Sequence, residues 1–167
     1  MGRDLKAYAQ KQLEFIYKNP DHKETQAKLC GHEPNFALIN ENIFGLEYLA
    51  ARLAVACRAW EAACEENSIT EESSRKAFLR AVMESFKSEK FLNVATAFSD
   101  YHLTVNAETG PVIPVIENFF KRLKVELAPG EGAGRKLTGA FEMMFYQSEG
   151  FRTDFENRFF EYLNSPQ

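Results

Sequence analysis

The chain has 167 residues, with 24 Asp and Glu against 20 Lys and Arg, a formal charge of −4 with histidine neutral; 45% of it is apolar and 26% charged. This composition excludes intrinsic disorder and argues against bulk nucleic-acid binding, which relies on a field of cations. No apolar run approaches the roughly 20 residues of a membrane helix and residues 1–20 carry charges throughout, so neither a membrane span nor a secretory leader is expected, and the cytoplasm is the expected compartment.

Apolar residues recur at three- and four-residue steps through most of the chain, and period-two alternation never persists; only 103–107 reads as a short strand. The first helix is expected from Asp4 to about Lys18, with Leu5, Tyr8, Ala9, Gln12, Leu13 and Ile16 on one face and Pro20 ending it. A second runs roughly 22–30, opened by Asp21 and Glu24 at capping-box spacing and stopped by Gly31. Pro34 and Asn35 then open the longest pattern: Ile39, Ile43, Leu46, Ala50, Leu53, Cys57, Trp60 and Cys64 form a heptad-like seam flanked by many alanines, which predicts the central helix, anchored by Trp60.

Ser68 and Glu71 form another capping-box pair, so a new helix is expected at Ile69. Phe78, Leu79, Val82 and Phe86 share one face, whereas Phe91, Val94, Phe98 and Tyr101 share another, displaced further than helical drift allows; the axis must break near Lys87 to Lys90. Beyond a loop at Asn106, Gly110 and Pro111, the residues Val112, Ile116, Phe119, Phe120, Leu123 and Leu127 make an amphipathic stripe. Pro129 to Gly134 is a glycine-rich loop, a helical region starts near Arg135 and is interrupted at Gly150, and Thr153 with Glu156 caps a terminal helix bearing Phe155, Phe159, Tyr162 and Leu163. The expected fold is all-α, an irregular orthogonal bundle of about seven helices in a single domain, 1–167.

Motifs for chemistry are sparse. The 129–138 loop lacks the Gly-Lys-Ser/Thr ending of a phosphate loop, which leaves Arg135 and Lys136 as a weak anion site. Cys57 and Cys64 lie in the apolar seam and read as core, Cys30-Gly31-His32 lacks two further ligands, and no pair of Glu-x-x-His motifs signals a dimetal centre, so no metal is expected. His102, near the end of an aromatic-rich helix, prompts a comparison with proximal haem ligation, but one imidazole does not make a haem pocket.

Two features carry the functional expectation. Phe141, Met144 and Phe145 share a face of the 140–146 segment while Met143 and Tyr146 point elsewhere, and Lys121, Arg122, Lys124, Arg135 and Lys136 cluster in sequence, the first three off the apolar stripe and facing water. The leading reading is a non-enzymatic interaction or regulatory module, binding another protein or a second copy of itself through an apolar patch (Met143, Tyr146) with a basic rim (Lys121, Arg122, Lys124). No cofactor is expected on that reading; the alternative is a binder of a small apolar ligand or cofactor, haem included, in an aromatic cavity using His102, Arg152, Phe141 and Phe145.

Overall fold

The computed structural model describes residues 4–31, 33–105, 112–125 and 151–165, with backbone alone at 105, 112–114, 116 and 151–156. The described residues are all-α: eight α-helices and two 3-10 turns, all but the short fourth helix contributing to one hydrophobic core. Helix α1 spans Leu5–Lys18, its first turn closed by the Asp4 carboxylate, which accepts from the Ala7 amide at 2.9 Å. Helix α2 follows at His22–Cys30. Both match the expected spans, yet the cap of α2 differs. Asp21 is left-handed at φ 38° and makes no side-chain cap, because its carboxylate turns inward to accept from Arg52 Nη1 at 2.7 Å.

The long pattern beginning at Pro34 is two elements rather than one. Pro34–Leu38 is a 3-10 turn, and helix α3 begins only at Glu41 and runs to Glu66, N-capped by the Asn40 Oδ1, which accepts from the Asn42 amide at 2.9 Å. Gln26 on α2 donates from Nε2 to the carbonyls of Phe36 and Ile39, both at 2.9 Å, so the turn is tied to α2 at its middle and just past its end. Phe36 is drawn into the core while Leu38, two residues on, faces out.

Helix α3 is the centre of the fold. A seam alone is too narrow a description, because neighbours cover it on every side between Glu47 and Cys64: α2, α6, α7 and the terminal helix all pack on it. Its alanines keep those helices close. Gly45 serves the same end, since a Cβ there would sit 3.0 Å from the His22 ring on α2. Trp60 is fully buried, against Phe78 at 5.9 Å and Phe159 at 4.6 Å, and its indole N–H donates to the Ser74 carbonyl at 2.9 Å.

Ser68 ends α3 instead of starting the next helix. It sits at φ 55°, its amide donates to the Glu65 carbonyl at 3.1 Å and the Ile69 amide to the Cys64 carbonyl at 2.8 Å, the paired bonds of a Schellman turn. Helices α4 (Glu72–Arg75) and α5 (Ala77–Ser85), a 3-10 turn at Glu89–Phe91, and α6 (Leu92–Val105) follow. The expected break between the two aromatic faces is present. Tyr17 holds it, with its hydroxyl 2.6 Å from Ser85 Oγ and its ring stacked on Phe91 at 4.5 Å. Residues 103–105 belong to α6, so the short strand is not formed.

Helix α7 spans Val112–Leu123 and buries Val115, Phe119, Phe120 and Leu123. Helix α8 spans Phe151–Asn164; it already includes Thr153, which is therefore not its N-cap. Phe159 enters the core, and Tyr162 stacks on Tyr8 of α1 at 3.9 Å.

Candidate functional site

Two charged side chains of α3, Glu47 and Arg52, are buried, and each organises a polar cluster. Arg52, buried, donates from Nη1 to the Asn19 and Pro20 carbonyls at 2.8 and 3.1 Å and to Asp21, fixing the α1–α2 corner against α3. Burial raises the Asp21 carboxyl, opposed by the attraction of Arg52, and burial pushes the neighbouring Tyr48 phenol to about 12.

Glu47, 7% exposed, is held by three donors: Arg122 Nε at 2.7 Å and Nη2 at 2.9 Å in a two-pronged pair, and the Tyr101 hydroxyl at 2.7 Å. The third guanidinium nitrogen reaches Asp100. Helices α3, α6 and α7 are thereby joined through one guanidinium, which also lies 5.7 Å over the Tyr101 ring. The Tyr101 phenol is driven far up by burial and by the adjacent carboxylate, and hydrogen bonding to Glu47 raises Arg122 further. Every charged group of the cluster is paired, and together they tie three helices.

Arg122 also forms a wall of a surface groove of about 670 Å³ between the 3-10 turn with the start of α3 and the end of α7. Leu38, Ile39 and Ile43 line it opposite Leu123, Lys124 and Val125, with Asn35 and Asn40 at its edge. Leu38 is 83% exposed and Ile43 56%, large values for aliphatic side chains that line one groove. Lys124 is placed here by a second Schellman turn: it takes φ 55°, while the Lys124 and Val125 amides donate to the Lys121 and Phe120 carbonyls, both at 3.1 Å. Glycine takes that conformation without strain; here the position presents an ammonium to the groove instead. Among the described residues neither Lys121 nor Lys124 has a carboxylate partner, and no described groove-lining residue is acidic. A larger groove of about 970 Å³ lies between α1 and α5, but its charges cancel, Lys6 and Arg80 against Asp4 and Glu84, over a floor of small side chains.

The sequence-predicted residues divide unevenly. Lys121 and Lys124 are exposed at the end of α7, as their spacing from the apolar stripe requires. Arg122 does not face water freely: it turns inward to Glu47. Met143, Tyr146, Phe141, Phe145, Arg135 and Lys136 lie outside the described residues, as does the 129–134 loop, and Arg152 is described by its backbone alone. His102 does not end its helix, which continues to Val105; its half-buried ring stacks on Phe98 at 5.3 Å, burial lowers its pKa, and neither groove includes it. Cys57 and Cys64 are buried and free, and burial pushes the Cys64 thiol up to about 11, far from a reactive thiolate. Among the described residues no group of three or more His, Cys, Asp or Glu is placed to hold a metal ion, and no helix is long and apolar enough to cross a membrane.

Sequence reasoning missed Leu38, Ile39, Ile43, Asn35 and Asn40 as a surface. The signal lay in Asn40 ahead of Glu41, an N-cap that moves the helix start past Ile39. The chain matches no family model, and comparison with curated proteins and with solved structures finds no similar protein.

Proposed function

We propose that the protein is a non-enzymatic helical interaction module whose contact surface is the groove between the Pro34–Leu38 turn and the end of α7. The observation that carries this reading is the exposure of Leu38 and Ile43 in the lining of one groove, since exposed aliphatic side chains gathered in a concavity are what an interface buries. The frame around them is rigid. Gln26 ties the turn, Asn40 caps α3, and the Glu47–Arg122 pair fixes α7, so the surface is formed in advance and little ordering opposes association.

The basic rim of this reading is Lys121 and Lys124; the apolar part is Leu38, Ile39 and Ile43. A photo-crosslinking amino acid at position 38 or 43, expressed in the native host, tests it. A discrete adduct at these positions, absent with the same probe at exposed Met83 on α5, is the expected result. Equal labelling at all three positions, or none at 38 and 43, would overturn the reading.

A further inference from the structure

We infer that the groove's partner is an acidic, amphipathic segment of another protein, one that places aliphatic anchors against Leu38 and Ile43 and a carboxylate against Lys124. The inference rests on the groove being the contact surface and goes on to name what fills it. The charge argument is local and runs against the chain as a whole: the protein carries net −4, yet no described residue lining this groove is acidic, while Arg122 and Lys124 both line it. Arg122 is already matched by Glu47 and Asp100, so among the described residues the groove charge without a carboxylate partner is that of Lys124, reinforced by Lys121 one turn earlier on α7.

The polar edge has the same bias. Asn40 spends its side-chain oxygen on the amides of Asn42 and Ile43, which leaves only its amide N–H groups for a partner. The Lys124 ammonium and the Asn40 amide N–H groups beside aliphatic side chains match a ligand that brings acceptors, negative charge and apolar anchors together. Nucleic acid fits less well, since the groove offers two aliphatic anchors and no exposed aromatic ring for base stacking. A second copy of the chain would have to supply the acidic face itself.

The test uses the full-length protein and a displayed library of random peptides, selected in parallel on the wild type, on Leu38→Ser/Ile43→Ser and on Lys124→Glu. Leu38 and Ile43 are exposed, so their replacement leaves the fold intact, as thermal melting verifies. Lys124→Gly serves as a second variant at the rim: it removes the ammonium and relieves the left-handed backbone, so it folds at least as well as wild type. The expected result is enrichment of peptides that combine Asp or Glu with Leu, Ile or Phe, whose affinity falls roughly tenfold or more on Lys124→Glu, falls on Lys124→Gly, weakens with added salt, and is lost on Leu38→Ser/Ile43→Ser. Enrichment of neutral or basic peptides that still depend on Leu38 and Ile43 would overturn the acidic partner and leave the groove as the contact surface. Absence of any peptide dependent on Leu38 and Ile43 would overturn both. Light scattering that shows a dimer dissolved by Ile43→Ser, or groove-dependent binding of an oligonucleotide in place of peptides, would assign a different occupant and refute the inference.

Discussion

Replacing Arg122 by Met keeps most of the side-chain volume and removes the charge that answers Glu47. The carboxylate, with its side chain only 10% exposed, then retains the Tyr101 hydroxyl alone after losing two guanidinium bonds at 2.7 and 2.9 Å. Stripping one partner from a buried ion pair costs about 3–5 kcal/mol. The Arg122 side chain is 26% exposed, so water enters where it stood, and the lower end, about 3 kcal/mol, is the expected loss. For a chain of this length that lowers the melting temperature by roughly 6–12 °C. Urea unfolding of wild type, Arg122→Met, Glu47→Leu and the double variant measures the loss and its coupling. The double variant should recover most of it and fall about 1 kcal/mol short of wild type, because Tyr101 and Asp100 lose a partner but no buried charge remains. A single-variant loss below about 1 kcal/mol, or additive losses in the cycle, would refute the assignment of this pair as the tie between α3, α6 and α7.

Trp60→Ala should cost about 3–5 kcal/mol in the same assay, and Trp60→Phe, which keeps much of the packing but leaves the Ser74 carbonyl without its donor, markedly less; equal losses would mean that the indole N–H matters more than the ring. Lys124→Gly should stabilise the protein by about 1 kcal/mol through relief of the left-handed backbone, and an unchanged or lower urea midpoint would contradict that strain. Burial holds His102 below its ordinary 6.5, opposed by Glu61, so below that value the unfolded chain binds more protons than the folded one and stability falls as the pH drops. Between about pH 7.5 and pH 5, wild type should lose more stability than His102→Gln, and identical slopes would remove His102 as a source of acid sensitivity.

Periodicity exposed most of this fold because most of its helices meet the core along one stripe. Helix α1, the Trp60 anchor and the break after α5 follow from apolar spacing and from Pro20, and the span of α2 from its flanking signals Asp21 and Gly31, with no tertiary information. Spacing fails where a helix is covered on several sides, as α3 is, since a fully buried helix has no preferred face to read. It fails again where capping residues act over a distance: Asp21 has the spacing of an N-cap but meets Arg52, more than thirty residues on in sequence, and Ser68 ends one helix where its spacing opens another. The rim of the candidate surface was legible in Lys121 and Lys124, off the α7 stripe. Its apolar floor was not, because Ile39 and Ile43 stand at positions that continue the α3 seam: the Asn40 cap sets Ile39 before the helix, and Ile43 lies in the first turn, ahead of the stretch that the neighbouring helices cover. Glu47 and Arg52 carried a visible signal, two charges in an apolar and alanine-rich run, but their partners lie on elements that no local pattern connects.

The aromatic cluster that joins the two ends of the described chain also sets an order of events during synthesis. Trp60 is covered by Phe159, and Tyr8 by Tyr162, both on α8. A ribosome adding roughly 5–20 residues per second takes about five to twenty seconds to reach Phe159 after Trp60 has been made. Through that interval the central helix has no final lid on its most apolar stretch, and native burial of Trp60 cannot be completed before the last helix emerges. Nascent chains stalled before position 159 should therefore present a tryptophan that iodide quenches, and a chaperone that grips aromatic segments has its longest opportunity there.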